Sequence, residues 1–238
     1  WCWRRRRREN QDGNGADKRS NDCSDTVIDA EAKIRMTIFA FPSITPTSSS
    51  FELVTNTKTF RSPITNAVQT ANRQGSLWKV GMSFNNLSGD DRSDMQAFLA
   101  KLNGQEHRFT LHDHSYTRRG VGFGTLTING AGQSGANLVC STTAQVNPGG
   151  IVGYLKAGDY VSFNNELHMV TTDANADASG NITIKIAPPI RKSTINNGNV
   201  DYTSPVNGVF MLASKSGWTN ELAGLSSFSL DAVEDVLA

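Results

Sequence analysis

Long hydrophobic runs and a strong net charge are both missing from this 238-residue chain. No apolar stretch approaches the ~20 residues that a membrane-spanning helix needs, so we expect no membrane insertion. The formal net charge is only +1 at pH 7, which gives no electrostatic reason to expect nucleic acid as a partner. Charged residues are few, while Ser, Thr, Asn and Gly are abundant, a composition that favours short strands and turns over helices.

Cysteine is scarce as well. Cys2, Cys23 and Cys140 are far apart, odd in number and not arranged as a C-x-x-C pair. The spacing is neither that of a disulfide-framed mini-protein nor that of a structural zinc site. We therefore predict neither kind of covalent or metal scaffold.

The sequence also matches none of the usual catalytic motifs well. Ser134 lies in Gly-Gln-Ser-Gly, which is not the G-x-S-x-G elbow, and no Cys–His or carboxylate pair stands out. Residues 120–124 read GVGFG, but a strand-like TLTI follows where a phosphate-binding loop needs a helix. We interpret these glycines as giving backbone freedom in a β bend. The sequence predicts no enzyme and no cofactor.

The first 35 residues differ from the rest of the chain. They carry five consecutive arginines, Arg4 to Arg8, and show almost no apolar periodicity before Val27. Such a segment buries too little surface to offset the entropy of ordering. We expect residues 1–35 to be a disordered or non-native extension, with translation beginning at Met36.

The first half of the remainder alternates apolar and polar residues and then changes period. Alternation over residues 51–60 and 67–84, with Arg61-Ser-Pro63 as the break, predicts two antiparallel strands. Apolar residues then recur at helical spacing, which predicts an amphipathic helix over residues 90–102 that ends at Gly104. We expect that helix to pack on the sheet.

A second β region follows, with a meander over residues 160–163, 166–171 and 182–186 and a turn at Asn164-Asn165. The pattern of the first region resumes at Val209. We therefore predict an insertion: residues 36–115 and 202–238 form one domain, and residues 116–201 form the other. The predicted fold class is mainly β, with a β-sandwich-like domain carrying one packed helix and an inserted small all-β domain.

Two weak metal candidates appear. Asp173, Asn175, Asp177 and Ser179 place oxygens at every second position, as in a calcium loop. However, a helix-loop-helix calcium site needs Gly at position six and Glu at position twelve, where this chain has Ala178 and Ile184. We interpret the segment as a hairpin loop whose Asp and Asn side chains bond their own backbone.

The second candidate is a zinc site at His112 and His114, near His107. Two residues apart on a strand, His112 and His114 project from one face, while Asp113 points to the other. No fourth ligand is evident. The competing interpretation is a polar strand surface that faces solvent or another subunit.

The order of the segments resembles the distal tail proteins and related small tail-tip components of long-tailed bacteriophages. The resemblance covers most of residues 36–238 and none of residues 1–35. The segments that carry it are WKVGMSF (78–84), the capped helix ending in LNG (90–104), FTLHD (109–113), GAGQSG (130–135), LKAGDYVSF (155–163) and residues 170–191, which end in APPIR.

The resemblance implies a β-sandwich-like domain with one helix that assembles into a ring, expected to be six-fold, and an outward second domain of galectin-like or OB-like type. Proteins of this kind are not enzymes. They join the tail tube to the tip or baseplate, and some hold receptor-binding proteins or contact host glycans. The implied location is the virion tail, assembled in the host cytoplasm.

A carbohydrate-binding module that contacts host surface glycans is the alternative. In that interpretation the inserted region uses an exposed Tyr154, Tyr160 or Phe163 as a sugar platform, although such residues on strands are more often core or interface. A hydrolase would need a carboxylate pair, and the sequence offers none that stands out.

Overall fold

The computed structural model describes residues 36–72, 75–144, 146–203, 206–214, 216–221 and 224–236. The expectation of a disordered or non-native extension falls on residues 1–35, which lie outside the described residues, as do Cys2 and Cys23. Residues Met36–Ala238 form one compact unit by their contacts.

Strands dominate the described residues, and one helix interrupts them. In chain order the elements are β1 (Ile38–Ala40), β2 (Ser48–Val54), β3 (Thr57–Arg61), β4 (Val68–Asn72), β5 (Leu77–Leu87), α1 (Gly89–Leu102), β6 (Arg108–Leu111), β7 (Leu126–Ile128), β8 (Gly135–Thr142), β9 (Ile151–Leu155), β10 (Tyr160–Phe163), β11 (Glu166–Val170), β12 (Ala174–Ala176), β13 (Asn181–Ile190), β14 (Asn199–Val200), β15 (Gly208–Leu212), β16 (Gly217–Asn220) and β17 (Ser226–Glu234).

The first sheet has seven strands in the order β1-β6-β15-β17-β5-β2, with β16 beside β17. It is mixed, because β1 pairs parallel with β6 while the other pairs are antiparallel. Along β5 the side chains of Trp78, Val80 and Met82 are buried, and Lys79 between them is exposed. This is the alternation expected of a sheet with one face on the core.

Helix α1 covers the buried face of this sheet. Its buried residues Met95, Phe98, Leu99 and Leu102 recur at helical spacing and join the first core cluster. The helix ends where Asn103 adopts a left-handed conformation with φ of 47°. The predicted helix over residues 90–102 is therefore confirmed, and so is its packing on the first sheet.

In the described residues the second sheet has eight antiparallel strands, in the order β10-β11-β13-β8-β7-β14; β12 pairs with β13, and β9 pairs with β12. The predicted meander corresponds to β10, β11 and β13. Asn164 and Asn165 form its tight turn with φ of 52° and 65°, the left-handed region that a type I′ hairpin turn requires. Cys140 lies in the second core cluster with a free thiol, and burial raises its pKa to about 12.

The strands of the first sheet come from residues 38–111 and 208–234, and those of the second come from residues 126–200. The predicted fold class, mainly β with one packed helix and two β regions, is confirmed for the described residues. The division into two domains stays a prediction. No helix in the described part of the chain has the length and apolar character that would let it span a membrane.

Candidate interaction surface

A two-stranded arm leaves the first sheet between β2 and β5. We call residues 57–72 the arm. They comprise β3, a turn and β4, and within the described part of the chain these two strands pair only with each other. The predicted antiparallel pairing of residues 51–60 with 67–84 is confirmed, but each predicted strand is interrupted and forms two strands. Five residues per strand give the arm a length of about 17 Å.

The arm is exposed on both faces. Ile64 at its tip is 91% exposed, Phe60 is 56% exposed and Val68 is 54% exposed. In the register of the hairpin Phe60 is opposite Gln69, and Arg61 is opposite Val68, so Phe60 and Val68 project from opposite faces. Each face therefore presents an uncovered apolar side chain.

Hydrogen bonds fix the turn at the tip of the arm. The backbone N–H of Ser62 donates to the oxygen of Ala67 at 2.9 Å, and the N–H of Asn66 donates to the oxygen of Ser62 at 3.0 Å. Asn66 has a φ of 54°, a conformation that asparagine tolerates better than most residues. Ile64 is thus presented to solvent by a closed turn.

The arm is also cationic. No Asp or Glu occurs in the sequence between Glu52 and Asp90, whereas the arm itself carries Lys58 and Arg61. Both residues lie in β3, which is exposed along its whole length. Lys58 shares a face with Phe60, and Arg61 shares a face with Val68. Apolar and positive groups therefore alternate over the same surface.

An open groove runs beside α1, between that helix and residues 40–44. We call it the α1 groove; its volume is about 410 Å³. Pro42 and Ile44 line one wall, and Asp91, Asp94 and Phe98 line the other. Lys101 also lines it, two helical turns beyond Asp94 or about 10 Å along the axis. The groove thus has an apolar floor and an acidic end.

A second cavity of about 380 Å³ shares residues 40–44 as a wall and is lined by His112, His114 and Asn207. We call it the histidine pocket. The two imidazole rings lie 4.4 Å apart between centroids, at 30°. Burial and the neighbouring His112 lower the pKa of His114. His112 Nδ1 lies 3.3 Å from Asn207 Oδ1, whereas the buried Nδ1 of His114 has no hydrogen-bond partner.

The structure brings the two zinc candidates together but not as predicted. Strand β6 ends at Leu111, so His112 and His114 follow the strand instead of lying on one face of it. Asp113 Oδ1 accepts hydrogen bonds from the N–H of Ser115 at 2.9 Å and from its hydroxyl at 2.7 Å. Among the described residues no three His, Cys, Asp or Glu side chains form a group that could hold a metal ion.

The calcium candidates lie along a strand that the hairpin-loop prediction missed. Residues Ala174–Ala176 form β12, with both alanines buried and Asp173, Asn175 and Asp177 exposed. Asp173 Oδ1 accepts from the N–H of Ala157 at 2.9 Å, and Asn175 Oδ1 accepts from the N–H of Gly153 at 2.7 Å. Two oxygens of the predicted calcium-binding set therefore accept hydrogen bonds from the backbone of β9 and of the loop that follows it.

Asp177 closes the turn that follows β12. Its Oδ1 accepts from the N–H groups of Ser179 and Asn181, both at 2.8 Å. These bonds, the one from Asn181 foremost, lower the pKa of Asp177. The prediction that acidic side chains here bond their own backbone holds for this turn, which leads into β13 through Gly180 at a φ of 79°.

The aromatic residues proposed as a sugar platform are not available for one. Tyr154, Tyr160 and Phe163 are all buried, so none of them is the exposed platform that the carbohydrate-binding alternative requires, and the competing interpretation as core residues applies. The Tyr154 hydroxyl donates to the backbone oxygen of Phe123 at 2.8 Å, and Phe163 stacks on His168 with centroids 4.5 Å apart. These rings belong to the core and to the contact between the sheets.

Gly120 and Gly122 are needed because other parts of the chain pack closely against them, more than because their backbone needs an unusual conformation. Only Gly124 has a positive φ, of 80°. A Cβ at Gly122 would lie 2.6 Å from the ring of Tyr154, and one at Gly120 would lie 2.8 Å from Asp159 Oδ2. Asp159 is fully buried and accepts hydrogen bonds from the N–H groups of Gly120 and Lys156. The predicted β bend is thus wrapped tightly around a buried carboxylate.

A buried network of charged side chains joins the two sheets. We call Glu166, His168, Arg191 and Glu234 the junction network; all four side chains are less than a tenth exposed. Arg191 donates to the two carboxylate oxygens of Glu234 at 2.9 and 2.6 Å, and its Nε lies 3.6 Å from Glu166 Oε1. Bidentate pairing of this kind between arginine and a carboxylate is among the strongest charge-assisted hydrogen bonds.

Backbone groups add further hydrogen bonds to the junction network, although the Nε2 atom of His168 and the Nε atom of Arg191 have no hydrogen-bond partner among the described residues. Glu234, at the end of β17, accepts from the N–H groups of Trp78 at 3.2 Å and Leu167 at 3.0 Å. The indole of Trp78 in turn donates to the oxygen of Leu167 at 2.8 Å. Burial alone raises the pKa of Glu166, but the His168 ring, whose Nε2 lies 3.2 Å from Glu166 Oε2, and the charge of Arg191 lower it overall. The two sheets are thus held by directional bonds as well as by apolar contact.

A scan against protein-family models gave no match, and no curated protein proved significantly similar to the chain. The arm, the α1 groove and the junction network are therefore the features from which a function can be inferred.

Proposed function

We propose that this chain is a structural subunit of a phage tail, which forms a ring at the distal tail tip and joins the tail tube to the tip or baseplate and to adhesion proteins. The observation that carries the proposal is the arm, whose large apolar side chains are uncovered on both faces. The resemblance of residues 36–238 to distal tail proteins supplies the particular assembly.

The arm supports an assembling subunit because it gains little from the rest of its own chain. An isolated two-stranded hairpin is marginally stable in water, and exposed clusters of apolar residues mark contact surfaces. In the arm, β3 and β4 pair with no third strand of the described residues, and three large apolar side chains are exposed: Phe60 on one face, Val68 on the other and Ile64 at the tip. A partner that covers the arm would supply the missing contacts.

The junction network supports a subunit with two fixed parts. A ring that displays an outward region needs that region to hold one orientation, or the proteins bound to it would not be aligned. Arg191, the residue after β13, and Glu234, the last residue of β17, bond through two donor–acceptor pairs, which restricts rotation more than an apolar contact does. This geometry suits a connector between a tail and its adhesion proteins.

Electron microscopy of the purified full chain tests the proposal. Negative-stain class averages should contain closed rings, six-fold as the resemblance implies, and light scattering should give the corresponding mass. Antibodies against the chain, coupled to gold, should label phage particles that encode it at the end of the tail away from the head. A chain that stays monomeric at all concentrations, together with unlabelled tails, would contradict the proposal.

A carbohydrate-binding module remains the competing proposal. The three residues suggested to contact the sugar, Tyr154, Tyr160 and Phe163, are buried and do not form an exposed platform. Specific binding of the monomeric full chain to glycans on an array would favour this alternative. Binding without ring formation would separate it from the tail-subunit proposal.

A further inference from the structure

We infer that the arm of one copy docks into the α1 groove of a second copy, so that copies join head to tail. The inference rests on the proposed ring and specifies the contact that closes it. It follows from three properties of the described residues: where the arm and the start of α1 lie on the subunit, which apolar side chains line each surface, and which charges each carries.

The arm and the start of α1 lie at opposite ends of β5. The arm leads into β5 near Leu77, whereas α1 begins two residues after Leu87, at the other end of the same strand. Ten residue steps of a strand span about 33 Å, roughly twice the length of the arm. The arm therefore does not reach Asp91 and Asp94, in the first turns of α1, on its own chain. A contact between different patches on two copies is heterologous, and such contacts generate rings when the rotation closes.

Apolar groups line both surfaces. Phe60 and Ile64 project from the arm with more than half of their surface exposed. In the groove, Pro42 is partly exposed, and the largely buried Ile44 and Phe98 lie beneath it in the lining. The groove volume of about 410 Å³ lies in the range of roughly 300–1,000 Å³ that is typical of pockets for small ligands. It can accept the side chains at the tip of a hairpin.

Charge selects this groove over the neighbouring cavity. The arm carries Lys58 and Arg61 and no acidic residue, and the groove is lined by Asp91 and Asp94. The histidine pocket is similar in volume but has no carboxylate in its lining. Complementary charges accelerate encounter and exclude wrong partners. Lys101 repels the arm at the far end of the groove and so favours one direction of entry.

A pair of complementary variants tests the contact. The arm variant carries Phe60→Asp and Ile64→Asp, and the groove variant carries Asp91→Lys and Asp94→Lys. All four positions are exposed. Each variant alone should be monomeric by size-exclusion chromatography with light scattering. An equimolar mixture should form one-to-one dimers and nothing larger, because only one intact arm then meets one intact groove.

Matched controls separate this contact from general effects of charge. Val152→Asp places the same charge on an apolar residue of β9 that is 79% exposed, and Asp90→Lys reverses an exposed charge on α1 outside the groove. Both should form rings as the unmodified chain does. Melting temperatures close to that of the unmodified chain will show that the variants are folded.

The outcomes distinguish this inference from the proposed function. Rings from the unmodified chain and also from both variants would overturn the docking inference and leave the tail-subunit proposal intact. Monomeric variants whose mixture gives no dimers would also overturn it, because the arm and the groove would then not be partners. An unmodified chain that never assembles would overturn the proposed function, and the docking inference with it.

Discussion

Replacing Arg191 by methionine should destabilise the protein more than any loss of a surface arginine. Arg191 is the guanidinium between the two buried carboxylates of the junction network, and it also donates to the backbone oxygen of Ser76 at 2.8 Å. Methionine fills much of the same volume but carries no charge. The substitution therefore leaves Glu166 and Glu234 buried without the cation that balances them.

The magnitude follows from what remains after the substitution. Removing one partner of a buried ion pair costs about 3–5 kcal/mol, because the other charge stays buried and unpaired. Glu234 keeps its hydrogen bonds from the N–H groups of Trp78 and Leu167, and Glu166 keeps His168 at 3.2 Å. We therefore expect a loss near the lower end, about 3 kcal/mol. That is a large part of the ~5–15 kcal/mol by which a domain is stable.

Urea unfolding followed by tryptophan fluorescence measures this loss. Trp78 is a local reporter, since its indole donates to Leu167 within the contact between the sheets. Arg119→Met is the matched control, because Arg119 is exposed; it should cost less than about 0.5 kcal/mol. The double variant Arg191→Met with Glu234→Gln should lose less free energy of unfolding than the two single variants added together. The second substitution removes one of the buried carboxylates that the first leaves without its cation.

Two results would refute the reasoning. A loss below about 1 kcal/mol for Arg191→Met would mean that water or a local shift compensates both carboxylates, so the network is not tightly closed. Strict additivity with Glu234→Gln would mean that the Arg191 and Glu234 side chains do not interact energetically, whatever their separation.

Three further predictions concern single sites. The pKa of Glu166 is lowered overall in the folded protein. Its carboxylate therefore stabilises the fold above the pKa of an unfolded glutamate, and this contribution is lost as pH falls through the lower folded pKa. In the variant Glu166→Gln, the free energy of unfolding should fall less steeply as the pH is lowered. Phe98→Ala should cost about 3 kcal/mol, since the ring packs edge-on against Phe41 and Phe109; a loss under ~0.5 kcal/mol in urea unfolding would contradict its burial. Because the carboxylate of Asp177 bonds backbone N–H groups, the melting temperature should be the same with calcium as with chelator, and a clear rise with calcium would reverse this interpretation.

The elements that could be predicted from the sequence are those with a local periodic signal. Buried residues of α1 recur every three or four positions, and those of β5 recur every two, so neighbours in sequence report the same buried face. The turn at Asn164-Asn165 was predictable for a related reason, because few residues adopt its positive φ readily. In each case the residues of a short segment are enough to predict its local structure.

Sequence periodicity does not report what covers a strand. Residues 51–60 alternate as one strand, yet β2 pairs with β5 in the first sheet while β3 pairs only with β4 in the arm. Likewise, aromatic residues such as Tyr154, Tyr160 and Phe163 occur both in sugar-binding surfaces and in cores. Whether they are exposed or buried depends on how the neighbouring strands pack, and here they are buried. Exposure of an aromatic residue is a property of the whole fold.

The junction network shows why buried charge is the hardest feature to infer from sequence. Its members are separated by up to 68 positions, since Glu166 and Glu234 lie in β11 and β17, and charged residues usually lie on surfaces. Burying them is favourable only if every donor and acceptor finds a partner. That condition holds for Glu234 because the end of β17 meets two backbone N–H groups and Arg191 at once. A site of this kind exists only when both sheets are already in place, so it fixes their orientation without providing the force that assembles them.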